Sequence, residues 1–319
     1  MPVALPPDPG AGFQAHFHQR WNHLRDRHVR ALAWLLDAPD LLDAAAPRWQ
    51  GRIARLPPDA DRAAWLTALD RAPQPLHDWL DPDPRLRLGR YAEQLMAFYF
   101  QQRGWLMAHN VQVRDGNVTI GEFDFLLRDG DALLHWEFAT KFYLLEAGDP
   151  HGADYFLGPG LADMLERKMD KMLQRQLALG CHPAARVHLA RPLAAAQALV
   201  KGWLFYPPGI EAAPAAGLNP AHCRGFWRPL AQLEALPGRR YAPLPRLDWL
   251  APARMSAAGA LDRTALRAAL ELHFASSDRP LLVAVLEVQG GEALEMERGF
   301  IVPDDWRRRA RERIAALAA

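Results

Sequence analysis

Three acidic residues and one lysine within residues 119–144 have the types and spacing of a phosphate-handling metal site. Glu122, Asp124 and Glu137 stand in two runs rich in aromatic and branched residues, and Lys141 follows four residues after Glu137. Carboxylate oxygens are the ligands that hard cations such as Mg²⁺ or Mn²⁺ prefer. A nearby ammonium group suits phosphate. The set therefore indicates a carboxylate-bound divalent cation with an assisting lysine.

Two strands of a predicted β-hairpin must position these side chains. The Asp-Gly pair at positions 129–130 is favoured in a two-residue type I′ turn, which predicts that Arg128 faces Asp131. Counting outward places Glu122 opposite Glu137. Like charges directly opposed destabilise a sheet, so a cation is the expected compensation.

The same register predicts how the side chains divide between the two faces of the hairpin, because successive residues of a strand point to opposite sides. The apolar face is predicted to carry Phe123, Phe125, Leu134, Trp136 and Phe138. The acidic face is predicted to carry Glu122, Asp124, Glu137 and Lys141.

The elements around the hairpin supply further candidate residues. A helix predicted at 85–103 carries Glu93 on a largely apolar stripe, where it either pairs with Arg90 or faces the metal; we favour the metal. A strand is predicted at 105–113, an amphipathic helix at 161–179 and a strand at 199–206. The second helix carries Lys168 and Lys171, candidate contacts to the phosphates of a substrate, for which an ordinary solvated face is the alternative. Gln176 on the same helix is a further candidate substrate contact and a candidate polar contributor near the acidic face.

This ordered set resembles the PD-(D/E)XK superfamily of metal-dependent nucleases. The resemblance rests on the helix acid Glu93, the sequence Gly-Glu-Phe-Asp at 121–124, and an acid followed by a lysine on the next strand. Residues 86–207 also resemble an uncharacterised bacterial family placed in that superfamily. The superfamily pattern puts its lysine two residues after the glutamate, where Ala139 stands here. Lys141 is therefore displaced by about 6.5 Å along the strand.

The resemblance implies an α/β (α+β) fold with a restriction-endonuclease-like core of order α-β-β-β-α-β. It implies Mg²⁺ (or Mn²⁺) held by Asp124 and Glu137, with Glu93 and Glu122 as further ligands. Lys141 is then expected to act on the attacking water, and the expected partner is nucleic acid, with DNA favoured over RNA.

Composition narrows the function classes. The net charge is +1, so the chain is not a globally basic nucleic-acid binder, and any such contact must be local. Only four of its 38 basic residues are lysines, and a lysine kept in so arginine-rich a chain modestly supports a role for Lys141. Two cysteines are too few for a disulfide framework. The sequence shows no long apolar run and no secretory signal pattern, so we expect a cytoplasmic protein with no membrane partner.

Three regions are predicted: an N-terminal helical cap (1–75), a nuclease-like core (76–210) and a C-terminal accessory region of helices and a strand pair (211–319). The leading hypothesis is a metal-dependent nuclease that hydrolyses phosphodiesters. One alternative is a catalytically degenerate relative that binds nucleic acid or a protein partner. Another is a structural network in which the acids pair with Arg90, Arg128 or His135.

Overall fold

The chain forms a mixed α/β structure, as the sequence predicts. The structure, a computed structural model, describes residues 12–80, 86–146, 155–210 and 216–318. These residues form eight α-helices and ten β-strands. None of the helices in the described ranges combines the length and the apolar character needed to cross a bilayer.

Four helices precede the candidate core: α1 (Phe13–Trp21), α2 (Arg27–Asp37), α3 (Arg62–Arg71) and α4 (Gln74–Trp79). The side chain of Asp26 caps the N-terminus of α2 by accepting hydrogen bonds from two backbone amides of its first turn. Trp34 of α2 stacks on Trp203 with 6.2 Å between ring centroids. The helices thus share one apolar core with the sheet.

The predicted α-β-β-β-α-β order is observed. Its elements are α5 (Leu88–Gln102), β1 (Leu106–Asp115), β2 (Val118–Asp129), β3 (Ala132–Glu146), the short added strand β4 (Tyr155–Leu157), α6 (Leu165–Lys171) and β5 (Leu193–Tyr206). Strands β1, β2 and β3 pair antiparallel, and β5 runs parallel to β3. Apolar side chains of α5 cover one face of β3, and those of α6 cover the other.

The same sheet continues into the C-terminal region. The remaining elements are β6 (Cys223–Pro229), β7 (Arg240–Pro243), β8 (Arg254–Ser256), α7 (Arg263–Phe274), β9 (Leu281–Gln289), β10 (Glu292–Val302) and α8 (Trp306–Ala318). The strand order is β1-β2-β3-β5-β6-β10-β9-β7, with β4 added to β3 and β8 to β10. The division into regions at residues 75 and 210 stays a prediction.

The hairpin between β2 and β3 forms, but its predicted register is wrong by two residues. Arg128 pairs with Leu133 rather than with Asp131, and Gly130 and Asp131 occupy the turn. Gly130 has a φ of 54°, so the glycine takes the first central position, as in a type II′ turn. Because the shift is even, most side chains keep their predicted face.

One face assignment is also wrong. Phe123 does not share a face with Phe125, since it packs in a separate apolar cluster and meets the ring of His135 edge-on, with centroids 4.7 Å apart. The β2–β3 ladder ends at the pair Phe125 and Trp136. The strands therefore change their relation at Asp124, where the regular alternation used for the prediction fails.

The helix predicted at 161–179 is shorter and irregular. The backbone amide of Gly158 donates to the carbonyl of Asp163, and Leu161 has a φ of 57°, so the chain turns before α6 begins at Leu165. After α6 the helix widens into a π-helical turn, Met172–Gln176.

Candidate functional site

Asp124 and Glu137 meet where β2 and β3 diverge. One carboxylate oxygen of Asp124, Oδ2, accepts a hydrogen bond from the backbone amide of Phe138 at 2.9 Å, in place of a ladder partner. Its carboxyl group also lies within hydrogen-bonding range of Glu137. The predicted opposition of Glu122 and Glu137 is replaced by this direct contact between Asp124 and Glu137.

Glu137 is completely buried and held on both oxygens. His135, also completely buried, places Nε2 2.8 Å from Oε1 of Glu137. The side-chain amide of Gln176 donates to Oε2 at 2.6 Å. Gln176 belongs to the π-helical turn, a feature frequent at functional sites. The predicted contribution of Gln176 to the acidic face thus takes the form of a bond to Glu137.

Glu93 and Glu122 lie farther out in the same acidic group. Glu93 projects from α5 and lies 3.6 Å from the guanidinium of Arg90, one of the pairings considered from the sequence. The charges of Asp124 and Glu122 both act on it. Arg128 takes no part in this group and instead donates to the carbonyl of Gly104.

The surroundings disfavour the charged forms of Asp124, Glu137 and Glu93. Burial, followed by the charge of Glu137, raises the pKa of Asp124 to about 8. Burial raises the pKa of Glu137 to about 7, and burial together with the Asp124 charge raises the pKa of Glu93 to about 7. Burial lowers the pKa of His135 to about 4, so its imidazole is neutral at physiological pH. In the absence of a cation, the contact between Asp124 and Glu137 is satisfied by a shared proton.

Lys141 lies within range of the charges of this acidic group. Burial and the charge of Lys168 lower the pKa of Lys141, while Asp163, Asp124 and Glu93 act in the opposite direction. Lys141 therefore occupies a desolvated position where the charges of three acids and of a second lysine act on it in opposite directions. Such a position suits an anion that brings its own negative charge.

The other two lysine predictions fall in different places. Lys168 pairs with Asp163 at 3.2 Å and lies close enough to Lys141 to affect its pKa. Lys171 is exposed on α6, and within the described ranges no contact joins it to the acidic group. The structure thus brings together Glu93, Glu122, Asp124, Glu137, Lys141, Lys168 and Gln176, and leaves Lys171 apart.

The donor set matches a magnesium ion that is only partly enclosed by protein. Across the described parts of the chain, no three His, Cys, Asp or Glu side chains are gathered closely enough to hold a metal ion by themselves. Mg²⁺ is usually bound by one or two carboxylates, with water and substrate phosphates completing its shell. Asp124 and Glu137 supply two such carboxylates in contact. The two residues therefore fit the number of carboxylates that this ion usually takes from a protein.

Asn110 is a strained position beside Asp124 that the sequence did not indicate, and its side-chain amide lies 2.6 Å from Nδ1 of His109. It lies in β1 between the ladder pairs His109–Phe125 and Val111–Phe123, next to Asp124 on the neighbouring strand. Its φ of 53° is in the left-handed region, which asparagine tolerates better than most residues. Backbone strain of this kind concentrates at functional sites. A single asparagine in a strand pattern gave no signal from which this position could be found.

Comparison with known proteins gives a family but no activity. No curated protein and no solved structure matches the chain. Residues 30–302 match the family model described as a domain of unknown function (DUF1853). Because this match spans well over half of the sequence, the chain belongs to the DUF1853 family.

Proposed function

We propose that the chain is a metal-dependent nuclease, which hydrolyses phosphodiester bonds of nucleic acid with a Mg²⁺ or Mn²⁺ ion held by Asp124 and Glu137. The observation that carries the proposal is the contact between these two carboxyl groups, with Lys141 in range of the Asp124 charge. Two buried acids in contact are unfavourable for an ordinary sheet. They are favourable around a doubly charged ion.

Each protein group has a role in this proposal. A bound Mg²⁺ ion would supply Lewis-acid polarisation of the phosphoryl oxygens. Glu137, fixed by two hydrogen-bond donors, keeps one orientation, and Asp124 is fixed by the Phe138 amide. Lys141 places a positive charge beside the phosphate, and its lowered pKa brings proton transfer closer to neutral pH. Lys168 extends this positive charge toward α6.

The test is cleavage of labelled DNA and RNA, single-stranded and duplex, by the full chain in Mg²⁺ or Mn²⁺. We expect cleavage that stops on addition of a chelator. Asp124→Ala should abolish it, because one of two metal ligands is lost, while the circular dichroism spectrum stays that of the folded protein. We expect DNA to be cut in preference to RNA.

A matched control comes from the same strand. Asp129 is an exposed acid at the far end of β2, so Asp129→Asn removes a carboxylate without touching the acidic group. It should cut at the wild-type rate. Equal activity of Asp124→Ala and wild type, or no cleavage of any of the four substrates, contradicts the proposal.

A second candidate is a nuclease-fold protein that binds nucleic acid or a protein partner without catalysis. It is favoured by the hydrogen bonds that already engage both oxygens of Glu137, and by the displacement of the lysine from position 139 to Lys141. Thermal unfolding with and without Mn²⁺ tests whether the acids bind a metal ion or form a purely structural network. A ligand that binds the folded state raises the unfolding temperature, so absence of any Mn²⁺ effect excludes a metal site at these acids.

A further inference from the structure

A buried histidine at position 135 is unfavourable for folding, and within the described ranges its one side-chain hydrogen-bond partner is Glu137. The imidazole is completely buried, next to the ring of Phe123 and on the residue that pairs with Leu126, which belongs to the same apolar cluster as Phe123. Its second nitrogen, Nδ1, has no hydrogen-bond partner among the described residues. A buried polar atom without a partner is destabilising, so an apolar residue would satisfy this site better if folding were the only demand.

The one polar contact of His135 is directed at the acidic group. Nε2 lies 2.8 Å from Oε1 of Glu137, and a neutral imidazole facing a carboxylate oxygen carries its proton on that nitrogen. Gln176 holds the other oxygen from a different element, the π-helical turn. The two donors fix the plane of the carboxylate, and its remaining lone pairs are left for Asp124 and for a cation.

We infer that His135 is a positioning residue, which orients the Glu137 carboxylate for metal binding by donating a hydrogen bond from Nε2. The inference rests on the proposed function, since it assigns His135 a role toward the ion proposed at Asp124 and Glu137. Donors in this outer position commonly change metal affinity by about 10–100-fold when they are removed.

The experiment compares His135→Gln with His135→Met in the full chain. The two side chains have nearly the same length and volume, but only glutamine carries an N–H that reaches the Nε2 position. The readout is the dissociation constant for Mn²⁺, measured by calorimetry, together with thermal unfolding of the metal-free protein. We expect His135→Met to weaken Mn²⁺ binding by about 10–100-fold, and His135→Gln to remain within a few-fold of wild type.

The alternatives are separated by the same titration. His135→Met that binds Mn²⁺ as tightly as His135→Gln and wild type overturns the role of His135. Should His135→Met not fold, His135→Phe, which refills the apolar surroundings, takes its place against His135→Gln. Wild-type binding that Asp124→Asn abolishes supports the metal site independently of His135. Wild-type protein that binds no Mn²⁺ overturns both proposals.

Discussion

Asp124 gives the metal-free protein a stability that depends on pH. Its pKa in the folded state is about 8, raised by burial and by Glu137, whereas an aspartate in an unfolded chain has a pKa of about 3.9. Between these values the folded chain keeps a proton that the unfolded chain releases. Stability is therefore greatest below pH ~4 for this group and is lost as the pH rises toward 8.

We expect the free energy of unfolding, measured by urea denaturation in a chelator, to fall between pH 5 and pH 8. Each unit of raised pKa corresponds to about 1.4 kcal/mol, so the fall should exceed that amount. Asp124→Asn removes the titrating group and should show a smaller fall, with Glu93 and Glu137 accounting for the remainder. For the wild type at pH 8 without chelator, saturating Mn²⁺ should restore the free energy of unfolding that the metal-free protein loses at this pH. An equal fall in wild type and Asp124→Asn contradicts this account.

The lysines show how far a residue-type argument reaches. Their rarity pointed to Lys141, which does lie beside the acids. Lys201 is another of the four lysines, yet it is buried in an ion pair with Asp40 at 2.7 Å and donates to the carbonyl of Ala38. A lysine in this arginine-rich chain can thus lie near acids, as Lys141 does, or in a buried structural pair, as Lys201 does. Only the neighbours of each lysine separate the two cases.

At the level of elements, Gly202 fixes the distance between β3 and β5. It pairs with Lys141 across the two strands, and a Cβ at this position would collide with the backbone carbonyl of Lys141. The obstacle is backbone rather than a flexible side chain. The two strands must separate to admit alanine, and Lys141 must move with them.

We expect Gly202→Ala to destabilise the protein by about 1–3 kcal/mol, the usual range for overpacking, and to weaken any cleavage that depends on Lys141. Gly160→Ala is the matched control, because nothing lies within 4 Å of the added Cβ and the φ of Gly160 is not positive. Urea unfolding of both variants gives the comparison. If Gly202→Ala is as stable as Gly160→Ala, the close approach of the two strands is not a constraint.

Elements with a strong local signal could be predicted, and those set by tertiary contacts could not. The hairpin, α7 and α8 follow from turn residues and apolar periodicity. The predicted register of the hairpin was wrong because the turn type depends on which residue takes the positive φ. Gly130 can stand at the first or the second central position of the turn, and the sequence does not say which. The π-helical turn could not be predicted because residues 172–176 have an ordinary amphipathic pattern. In the structure this wider turn brings Gln176 to Glu137.

The candidate site divides in the same way. Glu137 and Lys141 could be predicted to share a face because β3 alternates regularly between them. Asp124 meets Glu137 at the point where β2 and β3 diverge, which the alternation alone does not indicate. Asn110 could not be predicted, since its position depends on the pairing of β1 with β2. His135 could be considered only as a possible partner of the acids, because burial of both groups is a property of the folded chain.

At the scale of the whole molecule, a buried ion pair lies where the N-terminal helices, the central strands and the C-terminal strands meet. Glu295 and Arg298 of β10 are both completely buried, with 2.8 Å between Oε2 and Nη2. The guanidinium carbon of Arg298 lies 4.3 Å from the ring of Trp203 in β5. The backbone carbonyl of Glu295 is 2.9 Å from Nε2 of His18 in α1. Loss of the side-chain pair therefore removes the contact with Trp203, whereas the His18 contact is with backbone that a substitution keeps.

We expect the full chain to unfold in one cooperative transition, and Glu295→Leu to destabilise it by about 3–5 kcal/mol, because the Arg298 charge is left buried without a counter-charge. The double variant Glu295→Leu/Arg298→Met should recover much of the loss, since no uncompensated charge remains. Glu234, which pairs with Arg267 at the surface, provides the control, and Glu234→Gln should leave the unfolding midpoint unchanged. Calorimetry and urea unfolding measure both effects. Two separate transitions in the wild type contradict the view that the chain folds as one unit. A double variant no more stable than Glu295→Leu contradicts the view that the uncompensated Arg298 charge causes the loss.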